Sequence, residues 1–223
     1  DEDDETPVLA AADKIHVEAI RALHELGADI NTPDNNGCTP VLAAAAKGHL
    51  EAIRALDELG ADLNTPNNAG VTPVYVAAMA GQGEAIRTLG KLGANINTPM
   101  KHGNTPMCAA AEWGQFEAAR ALGELGADVN TPNNDGVVLM HMAANFGDER
   151  VVQWLRKLGA NMDVAQSWLG RPAELAGKMG HAKIAEKLTR YTSQCACCQK
   201  KATATVKLLA CSPCKATYYC SVA

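Results

Sequence analysis

Hydrophobic and polar residues follow one another along the chain in short blocks that recur with the same internal order. In residues 39–71, an alanine-rich apolar run precedes Gly48. A second stretch follows in which Ala52, Ile53 and Leu56 are spaced as on one face of a helix. The block ends in a polar stretch of Asn, Pro and Gly, which is typical of turns. The pattern predicts a helix, a tight turn, a second helix and a loop.

This block recurs every 33 residues. Thr-Pro dipeptides begin four of the units, and two later units begin near residues 138 and 171 without that dipeptide. Glycine keeps the period in two columns, which are Gly48, Gly81, Gly114, Gly147 and Gly180, and Gly27, Gly60, Gly93, Gly126 and Gly159. Five full units and a shorter sixth unit are therefore expected.

The helix ends can be assigned within one unit. Thr39 is a suitable N-cap, and Pro40 fits the first helical position, where its missing N–H costs nothing. The two helices are expected over about 40–47 and 50–59, and Gly60 suits a C-terminal cap with positive φ. No single unit can bury its own apolar face, so neighbouring units are expected to stack.

The period, together with the segments TPVLAAAAKGH, LxELGADLN and NNxG, resembles the ankyrin repeat over roughly residues 1–192. The resemblance implies an all-α solenoid of five full helix-turn-helix repeats and a capping repeat. The repeats start near residues 6, 39, 72, 105, 138 and 171. The last repeat carries the charged residues expected of a cap: Lys178, Lys183, Glu186, Lys187 and Arg190.

The composition indicates a folded chain with a core of small and aliphatic side chains. Hydrophobic residues make up 47% of the 223 residues, aromatic residues only 4%, and the net charge is −5. No apolar run approaches the ~18 residues of a membrane span, and the N-terminal DEDDE has no signal-peptide features. The start at Asp1 and the end at Ala223 suggest a fragment or a processed form.

Cysteine is concentrated in the last 29 residues, which hold six of the eight cysteines and four lysines but no acid. Two C-x2-C pairs, separated by twelve residues, can present four thiolates to one tetrahedral Zn²⁺. So small a segment needs a metal or disulfides to fold, and metal is preferred for a chain in a reducing compartment. The metal-ligand candidates are Cys195, Cys198, Cys211, Cys214 and Cys220.

The continuation C-x2-C-K-x-x-Y-Y-C-S makes residues 193–223 resemble a MYND-type zinc finger that is incomplete at its C-terminus. The resemblance implies two interleaved zinc ions. Cys195, Cys198 and Cys220 would share one of them, and Cys211 and Cys214 would bind the other. Three of eight family ligands lie beyond Ala223, so one or two zinc ions are expected. A single ion bound by the two C-x2-C pairs is the alternative.

A partner-binding surface is expected where the repeats differ from one another. The ankyrin resemblance implies that the end of each first helix and each hairpin tip line a concave binding surface. Trp113, Phe146 and Met179 recur at 33-residue intervals and are expected about 10 Å apart. Packing of these side chains against the neighbouring repeat is the alternative. The candidate binding residues are Met79, Trp113, Phe146 and Met179 at helix ends, and Lys101, His102 and Trp168 at tips.

Two polar columns are interpreted as structural. One is a histidine column that is expected to hydrogen-bond near the start of the second helix, and the other is an asparagine column in the loops. The asparagine loops resemble substrates of asparaginyl hydroxylases, but turn stabilisation is the simpler account. The columns are His16, His49 and His181, and Asn31, Asn64, Asn97 and Asn130.

These features predict a non-catalytic adaptor, because the sequence shows no nucleophile–base combination and no phosphate-binding loop. The repeats would bind a protein partner, and the finger a short proline-containing peptide. The alternatives are a nucleic-acid-associated regulator that uses the basic finger, or the N-terminal part of a larger enzyme. Nucleic acid is disfavoured, because the tail carries +4 while the remainder must carry −9 to give the net −5. We expect a monomer without membrane association, located inside the cell in the cytoplasm or the nucleus.

Removal of zinc is predicted to affect the cysteine-rich tail alone. Because metal-binding free energy in such modules is folding free energy, a chelator should abolish structure after residue 192 and leave the helical circular dichroism intact. Metal analysis of protein purified without chelator should find about one zinc ion per chain, and about two when the C-terminus is extended to include the remaining ligands. A zinc content near zero would contradict the prediction.

Overall fold

The computed structural model describes residues 5–192, together with two short strands nearer the C-terminus. This described part contains twelve helices, which form six successive helix pairs, one pair per repeat. The predicted all-α repeat architecture is therefore confirmed. The helices are α1 (Pro7–Asp13), α2 (Val17–Glu25), α3 (Pro40–Lys47), α4 (Leu50–Glu58), α5 (Pro73–Met79), α6 (Gly83–Lys91), α7 (Pro106–Glu112), α8 (Phe116–Glu124), α9 (Leu139–Phe146), α10 (Glu149–Lys157), α11 (Pro172–Lys178) and α12 (Ala182–Thr192).

The two strands, β1 (Leu209–Ala210) and β2 (Tyr219–Cys220), pair antiparallel, with Leu209 opposite Cys220 and Ala210 opposite Tyr219. The remaining residues of the 193–223 segment lie outside the described residues. The predicted boundary of a separate zinc-binding module near residue 192 therefore stays a prediction.

Threonine starts the first helix in each of the first four repeats, as predicted. The Thr39 Oγ1 accepts a hydrogen bond from the backbone N–H of Leu42 at 3.3 Å, and Pro40 occupies the first turn. The same bond recurs at Thr6, Thr72 and Thr105. The sixth repeat lacks the threonine. There the Glu174 carboxylate accepts the N–H of Arg171 at 3.0 Å and takes over part of the capping.

The contacts divide the chain into two compact units, Asp1–Asp128 and Val129–Ala223. In the first unit, the first helices α1, α3, α5 and α7 stack in order, and the second helices α2, α4, α6 and α8 form a parallel row. The side chains of Ala52, Ile53 and Leu56 are fully buried between neighbouring second helices. Glycine brings α6 close to α8, because a Cβ at Gly90 would lie 2.6 Å from the Leu125 Cδ1.

Asparagine side chains join each loop of the first unit to the next. The Oδ1 of Asn31 accepts the N–H of Asp62 at 2.9 Å, and Asn64 binds the N–H of Asn95 in the same way at 2.7 Å. Inside the second unit, Asn130 binds Asn161 likewise at 2.7 Å. The asparagine column is therefore structural, as interpreted from the sequence, and it also sets the register between repeats.

The histidine column makes a second inter-repeat link. The His49 Nε2 bonds the carbonyl oxygen of Asp13 at 2.9 Å, and in the second unit His181 bonds that of Asn145 at 3.0 Å. These histidines were expected to hydrogen-bond near the start of their own second helix. The hydrogen bonds are present, but their acceptors lie in the preceding repeat. His16 is exposed and makes no such bond, because no repeat precedes it in the described chain.

His141 fixes the junction of the last two repeats inside the second unit. Its ring is fully buried, its Nδ1 accepts the N–H of Val138 at 3.3 Å, and its Nε2 therefore donates to the carbonyl oxygen of Gly170 at 3.1 Å. Burial lowers the pKa of His141, although the bond to Gly170 opposes this shift. The neutral ring is the form that makes both bonds, because the imidazolium has no acceptor.

Ile15 is the one residue other than glycine with positive φ in the described residues. It lies between α1 and α2 with φ of 59°, at the position where later repeats carry a glycine such as Gly48. A β-branched side chain in left-handed backbone is strained by steric contact with its own main chain.

Replacing Ile15 by glycine is predicted to stabilise the chain. The substitution relieves the strained backbone at a half-exposed side chain, and we expect a gain of about 1 kcal/mol after the entropy cost of glycine. Gly48→Ala is the matched control with opposite sign, since its φ is 75° and a Cβ would collide with the Gln82 side chain. Urea unfolding of both variants measures the change, and a loss of stability in Ile15→Gly would contradict the account.

Acidification is predicted to weaken the junction that His141 forms. Since its pKa is lowered in the folded chain, the unfolded chain binds more protons below the ordinary histidine pKa of about 6.5. The stability due to the neutral ring is thus present above that pH and is lost as the pH falls toward 5. We expect the free energy of unfolding of His141→Gln to fall less between pH 7.5 and pH 5.5 than that of the wild type. Identical pH dependence in the two proteins would rule out this role.

Candidate partner-binding surface

Large apolar side chains are exposed at most of the positions that the sequence analysis selected. The exposed fractions are 61% for Trp113, 57% for Phe146, 49% for Met179 and 65% for Trp168. Met79 is half-buried at the end of α5. The alternative, that Trp113, Phe146 and Met179 pack against the neighbouring repeat, would account for only part of each side chain, because about half or more of each is exposed.

In the first unit, Trp113 follows directly on the last residue of α7. Its backbone N–H still bonds the carbonyl oxygen of Ala109 at 3.1 Å, so its main chain is fixed by the helix although its side chain is exposed. Gly114 then turns the chain with positive φ, and Phe116 begins α8 with its ring exposed as well. Two aromatic residues therefore flank one turn. The sequence analysis did not select Phe116. The only signal in the sequence is that the equivalent positions of two other repeats hold the non-aromatic residues Leu50 and Gly83.

The hairpin tip of the third repeat carries Lys101 and His102, and both are exposed. The Lys101 ammonium donates a hydrogen bond to the carbonyl oxygen of Asn68 in the preceding tip. Below the tip, the Tyr75 hydroxyl contacts the Met100 sulfur at 2.9 Å, and burial raises the pKa of Tyr75 to about 12. Lys101 thus contributes to the stacking of tips although its side chain is exposed.

In the second unit, Phe146 is the last residue of α9 and Met179 follows the last residue of α11. These two helices pack against each other, so the two side chains project from the ends of neighbouring first helices. Trp168 stands on the tip between α10 and α11. The predicted helix-end surface of this unit therefore consists of two exposed apolar groups with a third on the tip.

Gln166 fixes the tip that presents Trp168. Its side-chain oxygen accepts the N–H groups of Trp168 at 2.7 Å and of Leu169 at 2.9 Å, and its amide nitrogen donates to the carbonyl oxygen of Asp135 at 2.6 Å. Gln166 is buried. The sequence analysis missed this residue, because the only signal was that Gly170 follows Gly136 after 34 residues instead of 33.

In the first unit, two ion pairs join the second helices of successive repeats, and a third, between Lys47 and Asp13 at 3.9 Å, joins the ends of α3 and α1. Arg21 pairs with Glu58 at 2.6 Å and Arg87 with Glu124 at 2.8 Å, each linking one repeat to the next. The pKa of Glu124 is lowered chiefly by its hydrogen bond to Arg87. Exposed pairs contribute little stability individually, so their role is to favour one register between repeats.

Of the predicted zinc ligands, Cys195, Cys198, Cys211 and Cys214 lie outside the described residues, and only the backbone pairing of Cys220 is described. Within residues 5–192, no group of three or more His, Cys, Asp or Glu side chains lies close enough to bind a metal. The two cysteines of that part, Cys38 and Cys108, are free thiols, and burial raises the pKa of each, that of Cys38 to about 11. The described helices include none with the length and apolar character of a membrane span.

Comparison with protein families agrees with the repeat architecture. Family models match as ankyrin repeats (many copies) over residues 8–56, ankyrin repeats (3 copies) over residues 59–133, and ankyrin repeat over residues 135–166. A search of curated proteins found no match. The matches cover more than half of the 223 residues, and the α11–α12 pair continues the architecture beyond residue 166. The chain therefore belongs to the ankyrin-repeat family, whose repeats are protein–protein interaction modules.

Proposed function

We propose that this chain is a non-catalytic adaptor that binds a protein partner through the exposed apolar side chains at the ends of its first helices. The observation that carries the proposal is the position of Trp113 and Phe146. Each side chain is more than half exposed while its main chain is held by a helix. Neither ring contributes much to the buried core, so stacking of the repeats does not explain its apolar character.

Rigid presentation makes such side chains efficient binding groups. An aromatic ring on a fixed backbone loses little conformational freedom when a partner covers it, and its large apolar area leaves water. In the second unit, Phe146, Met179 and Trp168 offer three apolar groups, which is the composition typical of the centre of an interface. The weaker contacts would come from the lysines at the equivalent helix ends of the first two repeats, Lys14 and Lys47, and would depend on salt.

A second binding surface is proposed in the cysteine-rich tail, as a MYND-type finger with one or two zinc ions. The pairing of Ala210 with Tyr219 supports it, because Cys211 and Cys220 are the next residues along the chain from this pair. A neighbouring strand edge of this kind can receive an extended proline-containing peptide. Zinc thiolates of this kind persist in a reducing compartment, so the protein is proposed to act in the cytoplasm or the nucleus, as a monomer.

Truncation of Trp113 is predicted to abolish partner capture without unfolding the protein. Removing a desolvated tryptophan from an interface costs about 2 kcal/mol or more, which is roughly a 30-fold loss in affinity. The control is Lys91→Ala, which removes an exposed side chain at the end of the second helix α6, away from the proposed binding surface. Immobilised wild type and Lys91→Ala should retain a protein from a cell extract that Trp113→Ala does not retain.

Thermal unfolding of the same variants separates binding from stability. We expect the melting temperature of Trp113→Ala to stay within about 2 °C of that of the wild type, because the side chain buries little area. If Trp113→Ala lowers the helical signal or unfolds the third to fifth repeats, the side chain is structural. The partner surface would then lie at the hairpin tips.

A further inference from the structure

The second helices change the sign of their exposed charges between the two units. The second and ninth residues of each second helix are exposed, and their spacing places them on one face. In the first unit these residues are glutamates, with the single exception of Lys91. In the second unit all of them are basic, and they are Arg150 and Lys157 in α10, and Lys183 and Arg190 in α12.

Helix stability does not explain the cations near the starts of α10 and α12. The unpaired N–H groups of the first turn carry partial positive charge, which favours an acid there. Glu51 and Glu117 meet this preference in the first unit, whereas Arg150 and Lys183 oppose it. Capping of the array does not explain them either, because a cap needs polar residues of either sign and α10 belongs to the fifth repeat. The change of sign therefore points to a ligand of negative charge.

The guanidinium of Arg156, at the end of α10, is held in place by an aromatic ring. Its Cζ lies 4.4 Å from the centroid of the Tyr191 ring, which is a cation–π contact. The equivalent positions in the first unit hold Gly90 and Leu125, which pack together as an apolar contact. The second unit has thus replaced a stacking contact by one that presents a charged group at the surface.

Arg156 and the adjacent Lys157 are both exposed. Within the part of the chain that the structure describes, neither of them forms an ion pair. A guanidinium that is stacked on a ring and lacks an acidic neighbour is well placed to bind a carboxylate through two parallel hydrogen bonds.

Side-chain contacts hold α12 beside α10, so the cations of the two helices belong to one face. The Lys187 ammonium donates a hydrogen bond to the Glu149 carboxylate at the start of α10, and the contact of Arg156 with Tyr191 joins the other ends. The two cations of each helix are seven positions apart, which is about 10 Å along the axis, and packed helices lie about 10 Å from each other. The four cations therefore stand roughly at the corners of a square.

We propose that this basic face, formed by Arg150, Lys157, Lys183 and Arg190 with the stacked Arg156, is a docking site for an acidic, extended segment of a protein partner. A polyproline II segment rises about 3.1 Å per residue and repeats every three residues. Acids at every third position of such a segment lie about 9 Å apart on one side, which matches the spacing of the cations. The face lies on second helices and is separate from the surface proposed at the ends of the first helices.

A short acidic segment suits this face better than a long polyanion does. Residues 1–128 hold nineteen acidic and only eight basic residues, so the first unit would repel a nucleic acid that extends beyond the basic face. At physiological salt, charges more than about 8 Å away are largely screened. A short segment therefore responds to the basic face and not to the negative charge of the whole chain.

A labelled peptide tests the proposal on the full chain. The probe is a fluorescein-labelled peptide of about twelve residues with glutamate at every third position and alanine and serine between, and the control peptide has glutamine in place of each glutamate. Fluorescence anisotropy in about 0.15 M salt should detect binding of the glutamate peptide alone, and this binding should weaken as the salt is raised.

Removal of two cations should weaken the binding of the glutamate peptide. Arg156→Gln combined with Lys157→Gln is expected to lower the affinity about fivefold or more, since one exposed ion pair contributes up to about a factor of five. The matched control is Arg54→Gln combined with Lys91→Gln, which removes the same charge from exposed residues of α4 and α6. This control should change the affinity by less than about twofold.

Two substitutions of Tyr191 separate the presentation of Arg156 from its charge. Tyr191→Leu introduces the residue that earlier repeats hold at this position, such as Leu125, and removes the ring under the guanidinium. The affinity should fall about twofold or more, whereas Tyr191→Phe keeps the ring and should bind as the wild type does. Helical circular dichroism of each variant should equal that of the wild type, because the substituted side chains lie at the surface or keep an apolar group in the same place.

Any of three results would overturn the proposal. The first is a glutamate peptide that binds no better than the glutamine peptide, because charge would then not drive the contact. The second is an equal loss of affinity in the two double variants, which would assign the effect to the net charge of the chain. The third is a DNA duplex of about 20 base pairs that binds through Arg156 and Lys157 more tightly than the glutamate peptide in the same salt, which would identify nucleic acid as the occupant.

Discussion

Burial of each repeat's apolar face against the next repeat is the interaction on which the rest of the structure depends. A helix pair of this length has too little core to fold alone, and its small side chains are chosen for close approach to a neighbour. The contrast between Ala52, which is fully buried, and Ala19, which is exposed at the N-terminal end, shows the dependence directly. The same residue type is core or surface according to whether a repeat precedes it.

Polar groups then select one register for this stacking. Asparagine side chains bridge the loops, histidine rings reach the carbonyl at the end of the preceding first helix, and arginine–glutamate pairs join the second helices. Each bond is individually modest, with hydrogen bonds worth about 1 kcal/mol and exposed ion pairs less. Their common period of 33 residues is what makes them decisive, because a shift of one residue breaks all of them together.

Binding can therefore occupy positions that stacking does not use. At the end of the first helix, Trp113 and Phe146 have their main chain fixed by the helix and a side chain that is more than half exposed, so this position can vary without loss of the fold. The chain holds Lys47 at this position in one repeat and Trp113 in another. This separation of scaffold and surface explains why several aromatic residues are exposed although aromatic residues are only 4% of the chain.

The sequence predicted the helices and turns well, because their determinants are local and repeated. Thr39 caps a helix through its own side chain, and Gly48 turns the chain through its own backbone. The residues that were missed act through neighbours that the sequence does not place. Gln166, for example, fixes a tip by binding Asp135 in another repeat.

Hydrogen exchange of the chain with and without a captured partner tests most directly whether scaffold and binding surface are separate. The account predicts slower exchange in the partner complex at the turns after α7, α9 and α11 and at the tip that carries Trp168. The outward second helices α4 and α6 should exchange unchanged, since their buried faces already serve the stack. Protection confined to the second helices, with the turns unaffected, would contradict the account.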